Sequence, residues 1–211
     1  MSELTNNRET GDDAILRVMV LSTGGTIEKV YQERDGSLRN RKSPFMRIVR
    51  RLRHPTVRLR HQTVLQKDSL DLTDDDRRVI GDAVDAVDPA FDAILIIHGT
   101  DTLSVTGEYL YARFDRLARP VILTGAMRPF EFRDTDALQN VHEALVACRL
   151  LPPGVYVAAH SKVLRFPGVV KDRRRMTFVS KPTALDQAAA SRRPADSINA
   201  PVIEPSKSET N

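Results

Sequence analysis

A single cysteine, Cys148, is all this chain has, so no internal disulfide can form and the expected compartment is reducing, the cytoplasm. No apolar run approaches the roughly 18 residues of a membrane span. The first residues, MSELTNNRETGDDA, lack the apolar core of a signal peptide. A membrane partner is therefore not expected. Between Arg39 and His61 there is no acid against nine Lys or Arg, whereas Asp71 to Asp92 holds eight Asp and only Arg77 and Arg78 as bases. A basic run can be a nucleic-acid footprint. Here no nucleic-acid motif accompanies it and the acidic segment follows closely, so it reads as a solvated or intersubunit face. Also missing are G-x-G-x-x-G, G-K-[ST], G-x-S-x-G and H-E-x-x-H. Their absence argues against a dinucleotide fingerprint, a P-loop, a serine nucleophile elbow and a zincin helix.

What is present is ordinary globular material: 211 residues, 41% hydrophobic and 28% charged, enough for one domain with a substantial core. Residues 1–13 read as a disordered leader, 14–185 as the domain, and 186–211, rich in Ala, Ser, Pro and Arg, as a disordered tail. Apolar runs at Ile15–Leu21, Ala93–Ile97, Pro120–Leu123 and Val155–Ala159 predict buried strands. Thr56–Leu65 alternates and predicts another strand, and Met176–Ser180 a further short one. Helical spacing is found after Pro44, over Thr73–Val87, after Leu103 and over Asp134–Leu150. Glu28–Arg41, with its turn signal Asp35-Gly36, predicts a hairpin or flap. Strands alternating with helices give an α/β fold, a doubly wound, mostly parallel sheet flanked by helices.

The strand ends carry the chemistry. Ile15–Leu21 runs into Ser22-Thr-Gly-Gly-Thr-Ile27, the second strand into Gln66-Lys-Asp-Ser69, the third into His98-Gly-Thr-Asp-Thr102 and the fourth into Thr124-Gly-Ala-Met-Arg-Pro129. Open α/β sheets bind ligands at this carboxyl edge. The edge offers hydroxyls at Thr23, Thr26, Thr100 and Thr102 and a carboxylate at Asp101. A threonine nucleophile needs its proton removed, and a lysine can serve if its surroundings lower its pKa. The five histidines lack metal-ligand spacing, and His98, ending a buried strand, reads as structural. No metal and no organic cofactor are expected.

Thr23-Gly-Gly-Thr-Ile27, His98-Gly-Thr-Asp-Thr102 and Gly125-Ala-Met-Arg-Pro129, in this order and each closing a strand, resemble the bacterial-type L-asparaginases. The resemblance spans Ile15 to Lys181 and implies the Rossmann-like N-terminal catalytic domain of that family. It makes Thr26 the nucleophile, and Thr100, Asp101 and Lys171 the second catalytic cluster, with Lys162 as the competing lysine. Asp101 also matches the carboxylate that holds a substrate's α-ammonium group. Gln66, Lys67, Asp68 and Ser69 fall where the α-carboxylate binds, and Tyr31 stands for the flap tyrosine. The implied reaction is ping-pong: Thr26 attacks the side-chain amide of L-asparagine, ammonia leaves, and water cleaves the β-aspartyl ester. Thr100 with Lys171 relays protons, and amides near Thr100 hold the oxyanion.

Usual members of that family have a second, C-terminal domain. The ordered pattern here ends near Leu185, so the expectation is a short chain of the catalytic domain alone, working as a homo-oligomer (dimer or tetramer). Arg39–Arg60 and the region after Met176 are the expected interface. Two rival functions stay open: an amidohydrolase for glutamine or another asparaginyl compound, and a non-catalytic binding module that kept the fold.

Overall fold

The computed structural model describes residues 14–181, apart from 33, 35–36 and 41–43. The leader, the whole of the tail and the Asp35-Gly36 turn therefore lie outside the described residues. In chain order the elements begin with β1 (Leu16–Gly24), the hairpin β2 (Lys29–Gln32) and β3 (Ser37–Asn40), and the short α1 (Phe45–Val49). They continue with β4 (Val57–Lys67), α2 (Asp74–Asp85), β5 (Ala93–Ile97), α3 (Leu103–Arg113), β6 (Pro120–Thr124) and α4 (Ala137–Leu150). The last are β7 (Gly154–Ala159), β8 (Lys162–Arg165), β9 (Val169–Asp172) and β10 (Thr177–Ser180).

Six strands form one sheet in the order β4-β1-β5-β6-β7-β8. All neighbours run parallel except β7 and β8. The doubly wound α/β expectation is met. Because β1 pairs with β4 on one side and β5 on the other, the strand order reverses between β1 and β5. That crevice is the topological switch point, the place where such sheets take ligands.

Side-chain alternation on the buried strands separates two cores. Val18, Val20, Leu95, Ile97, Ile122 and Ala158 face one layer, which α1 and α4 close with Phe45, Ile48, Val141 and Ala144. Met19, Leu21, Ile94, Ile96, Val121 and Val157 face the other, closed by Ile80 and Val84 of α2 and Leu103 and Leu110 of α3. Each fully buried Leu or Ile contributes about 1.5–3 kcal/mol, so the sheet centre is the rigid base on which the strand ends sit. β4, at the sheet edge, leaves Arg58 and Arg60 exposed, and charge on an edge discourages further pairing.

Two departures from the sequence expectation matter for the site. β1 continues past Leu21 to Gly24, because Ser22 pairs with both Thr63 and Ile97 and the buried Thr23 hydroxyl donates to the Ile97 carbonyl at 3.0 Å. Polar residues can prolong a strand when the sheet supplies partners. Beyond β7 the chain turns back as the antiparallel β8 and then forms the β9–β10 hairpin, where no strand before Met176 was expected. β8 is largely exposed and short, so it carries no apolar period to read.

Candidate active site

Backbone packing at the carboxyl edge starts with glycines. Gly25 has φ +85°, and a Cβ there would lie 2.2 Å from the Gly99 Cα; a Cβ on Gly99 would meet the Ser69 side chain at 2.5 Å. The loops after β1 and β5 thus touch main chain to main chain, with the Ser69 side chain of the loop after β4 packed on Gly99, approaches that only glycine permits. Thr26 and Thr100 each follow directly on one of these touching glycines. The Gly25 amide donates to the Lys67 carbonyl at 3.0 Å, and the Gly24 amide donates to the buried Glu28 carboxylate at 2.8 Å. Together these contacts fix the TGGTI turn against its neighbours.

The four threonines then separate by their bonds. Thr23 is buried and committed to Ile97, and the Thr102 hydroxyl donates to the Ser69 carbonyl at 2.6 Å. Thr100 is buried, and its hydroxyl accepts from Lys171 Nζ at 2.8 Å. Thr26, partly exposed, makes no side-chain hydrogen bond among the described residues. Of the four, it alone presents an uncommitted hydroxyl to a ligand.

Lys171 Nζ also donates to Asp101 Oδ1 at 3.0 Å, so one lysine joins both polar residues of the HGTDT turn. β9 brings it there: Val169 and Phe178 of the β9–β10 hairpin are buried in the second core, and the tip of the Phe166 ring packs against α3 at Gly107. A Cβ at Gly107 would stand 2.1 Å from the Phe166 ring. Just after it, the Gly168 amide donates to the Glu108 carboxylate at 2.6 Å. Lys162, by contrast, lies on β8 beside His142, Glu143 and Val163, in an apolar groove against α4.

Of the residues expected at the α-carboxylate position, Ser69 is buried and its hydroxyl has no partner among the described residues. Asp68 pairs with Lys29 at 2.6 Å, and that bond holds its carboxyl below the usual range. Lys67 is turned to α2, where it donates to both oxygens of Asp76 at 2.7 and 2.9 Å. Lys67 first, then the Thr73 amide, hold Asp76 at about 2. Gln66 is exposed on β4, and Tyr31 is half exposed on the β2 arm of the flap.

Several supporting residues escaped the sequence. Asp136, at the start of α4, accepts from the amides of Met127 and Arg128 at 2.9 and 3.0 Å, from Asn140 Nδ2 at 2.8 Å and from His160 Nε2 at 2.8 Å. Burial disfavours its charge, yet the His160 bond and the two amides outweigh burial and hold it at about 2. Asn140 also donates to the Gly125 carbonyl at 2.9 Å and accepts from the His160 amide at 3.0 Å. This network shapes the GAMRP turn. Glu131, two residues beyond it, accepts from the Tyr31 amide at 2.7 Å and so ties the flap down. The helix predicted over Asp134–Leu150 placed Asp136 in its first turn without marking it for the site, and nothing local signalled Glu131. Among the described residues no three His, Cys, Asp or Glu converge to hold a metal ion, and no helix is long and apolar enough to cross a membrane.

The arrangement can activate one hydroxyl, deliver a lysine and a carboxylate beside it, and hold a small polar ligand in a glycine-lined crevice. Known proteins resemble it in sequence and fold. The family model described as Asparaginase, N-terminal, matches residues 17–186. The chain is 32% identical over 149 residues to an L-asparaginase of Thermococcus kodakarensis, covering 71% of this chain and 45% of that protein. It is 29% identical over 129 residues to a glutamyl-tRNA(Gln) amidotransferase component from Thermoplasma acidophilum, covering 61% of this chain and 32% of that protein. The solved structure of the thermostable L-asparaginase from Thermococcus kodakarensis superposes with a TM-score of 0.74 at 30% identity, over 80% of this chain and 52% of the other. The chain spans about half the length of the L-asparaginase it matches. With strand order, strand-end motifs and sequence similarity in agreement over most of its length, this chain belongs to the asparaginase N-terminal family.

Proposed function

We propose that the protein is a cytoplasmic amidohydrolase that releases ammonia from the side-chain amide of L-asparagine through a threonine ester. One observation carries the reading: Lys171 Nζ stands 2.8 Å from Thr100 Oγ1 and 3.0 Å from Asp101 Oδ1, at the switch point where Thr26 keeps its hydroxyl free of bonds among the described residues. Thr26 Oγ1 attacks the carboxamide carbon while Thr100 and Lys171 carry its proton toward the departing nitrogen. The C–N bond breaks, ammonia leaves, and a water molecule cleaves the ester with the same pair as its base. Ser69, with its buried and unpartnered hydroxyl, receives the α-carboxylate, and Asp101 meets the α-nitrogen end of the substrate.

The test is ammonia release from L-asparagine, with L-glutamine in parallel and Lys171→Met and Lys162→Met as paired variants. Asparagine turnover that falls about a hundredfold or more in Lys171→Met, and stays near wild type in Lys162→Met, is the expected result. The reverse pattern moves the relay to Lys162. The likeness to the glutamyl-tRNA(Gln) amidotransferase component favours a second reading, in which the released nitrogen is passed to a partner's substrate. Ammonia release that rises when such a partner is added would support it.

A further inference from the structure

Asp101 already carries two cations. Its Oδ1 accepts from Lys171 Nζ at 3.0 Å and from Arg173 Nη1 at 3.2 Å. Arg173 stands on the tight turn between β9 and β10, which Asp172 closes by accepting from the amides of Arg174 and Arg175 at 3.0 and 2.9 Å. The aspartates at the end of β4 and the start of α2 are matched as well: Asp68 to Lys29 at 2.6 Å and Asp76 to Lys67 at 2.7 Å. A free α-amino acid brings an ammonium group of its own toward Asp101. Three cations would then share one carboxylate, and like charges at this spacing repel. An amide whose α-nitrogen is acylated or absent brings no such charge.

Resting on the amidohydrolase reading above, we propose that Arg173 determines specificity: it sets the site against the α-ammonium of free asparagine and favours side-chain amides without one. N-acylated asparagine and succinamate, which keeps the amide and the carboxylate but lacks the α-nitrogen, are the substrate class it fits. The Arg173 side chain is 70% exposed, so a ligand can displace it at modest cost. Free asparagine is therefore still bound, with a raised KM.

Steady-state ammonia release from L-asparagine, N-acetyl-L-asparagine and succinamate, by wild type, Arg173→Ala and Arg173→Lys, decides the point. The wild type is expected to have a lower KM for succinamate and the acetylated compound than for asparagine. Arg173→Ala should lower KM for asparagine by about two- to fivefold, with no gain for succinamate, and Arg173→Lys should keep the wild-type order. An equal shift for every substrate, or none, overturns the proposal while leaving the hydrolytic reading intact. If no compound yields ammonia, the hydrolytic reading fails on its own. Calorimetric titration of the same compounds into the same variants then decides: a preference for succinamate that disappears in Arg173→Ala upholds the role of Arg173, and binding that does not change with the variant overturns it.

Discussion

His98 is fully buried, and its ring is read by two partners: Nδ1 donates to the Gly99 carbonyl at 2.8 Å, so Nε2 accepts from the Thr106 hydroxyl at 2.9 Å. This neutral tautomer orients the peptide between Gly99 and Thr100, and so aims the polar cluster beyond it. Burial holds the ring at about 4, well below its ordinary 6.5. Between those values the unfolded chain binds a proton that the folded chain refuses, so stability rises with pH across the window and is lost as pH falls. The loss is about 2–3 kcal/mol from pH 7 to pH 4. His61, also lowered by burial, acts in the same direction. Denaturant midpoints measured at both ends of this window should differ accordingly; equal midpoints would show that His98 is protonated without cost. The sequence marked His98 as structural because it ends an apolar strand. It gave no hint of Thr106, which reaches the ring only because α3 packs back over β5. Arg173 was hidden differently, inside the run Asp172-Arg-Arg-Arg175, which reads as a solvated turn until β9 places it on Asp101.

Elements differ in how firmly they hold their residues. β5 and β6 are buried at every position, and their motifs sit on an immobile base. The β2–β3 hairpin is joined to the rest by the Tyr31 amide on Glu131 and by Lys29 on Asp68 at 2.6 Å, and the pairing of Glu131 with Arg47 at 3.4 Å supports the first. Phe130, buried next to Glu131, carries the Arg47 and Arg51 guanidiniums over its ring at 5.5 and 4.9 Å. The connection after β6 therefore grips both α1 and the flap. Glu131→Ala should leave global stability within about 1 kcal/mol, since an exposed ion pair adds little. On the proposed function, in which this hairpin carries Tyr31 to the substrate, it should nonetheless raise KM and lower kcat together, by roughly three- to tenfold. A variant with unchanged kinetics would mean that the flap closes without this latch. Buried strands and helix starts were legible: the helix predicted over Thr73–Val87 begins as α2 at a reciprocal cap between Thr73 and Asp76. β8 and β9 were not, because four-residue strands are defined by their partners rather than by their own pattern.

For the whole molecule, one topological fact explains why scattered motifs make one site. The strand order reverses between β1 and β5, and the residues after those strands, Thr26 and Thr100, follow glycines in contact across that crevice. Motif order and strand ends were readable in the sequence, so the fold class and the Thr100–Asp101–Lys171 group were within reach. Register made Lys171 the first choice, and only the fold of the β9–β10 hairpin separates it from Lys162. The Asp136–Asn140–His160 network was not readable, because three residues from one helix and a distant strand end meet only after β6 and β7 pair. The proposed function requires Thr26 as the nucleophile. It is tested most directly by ammonia release from L-asparagine with Thr26→Ala beside the wild type, both checked for fold by circular dichroism. A loss of about a thousandfold or more in a folded variant is the predicted result. Turnover at the wild-type rate in Thr26→Ala would contradict it and move the chemistry to another hydroxyl of this edge.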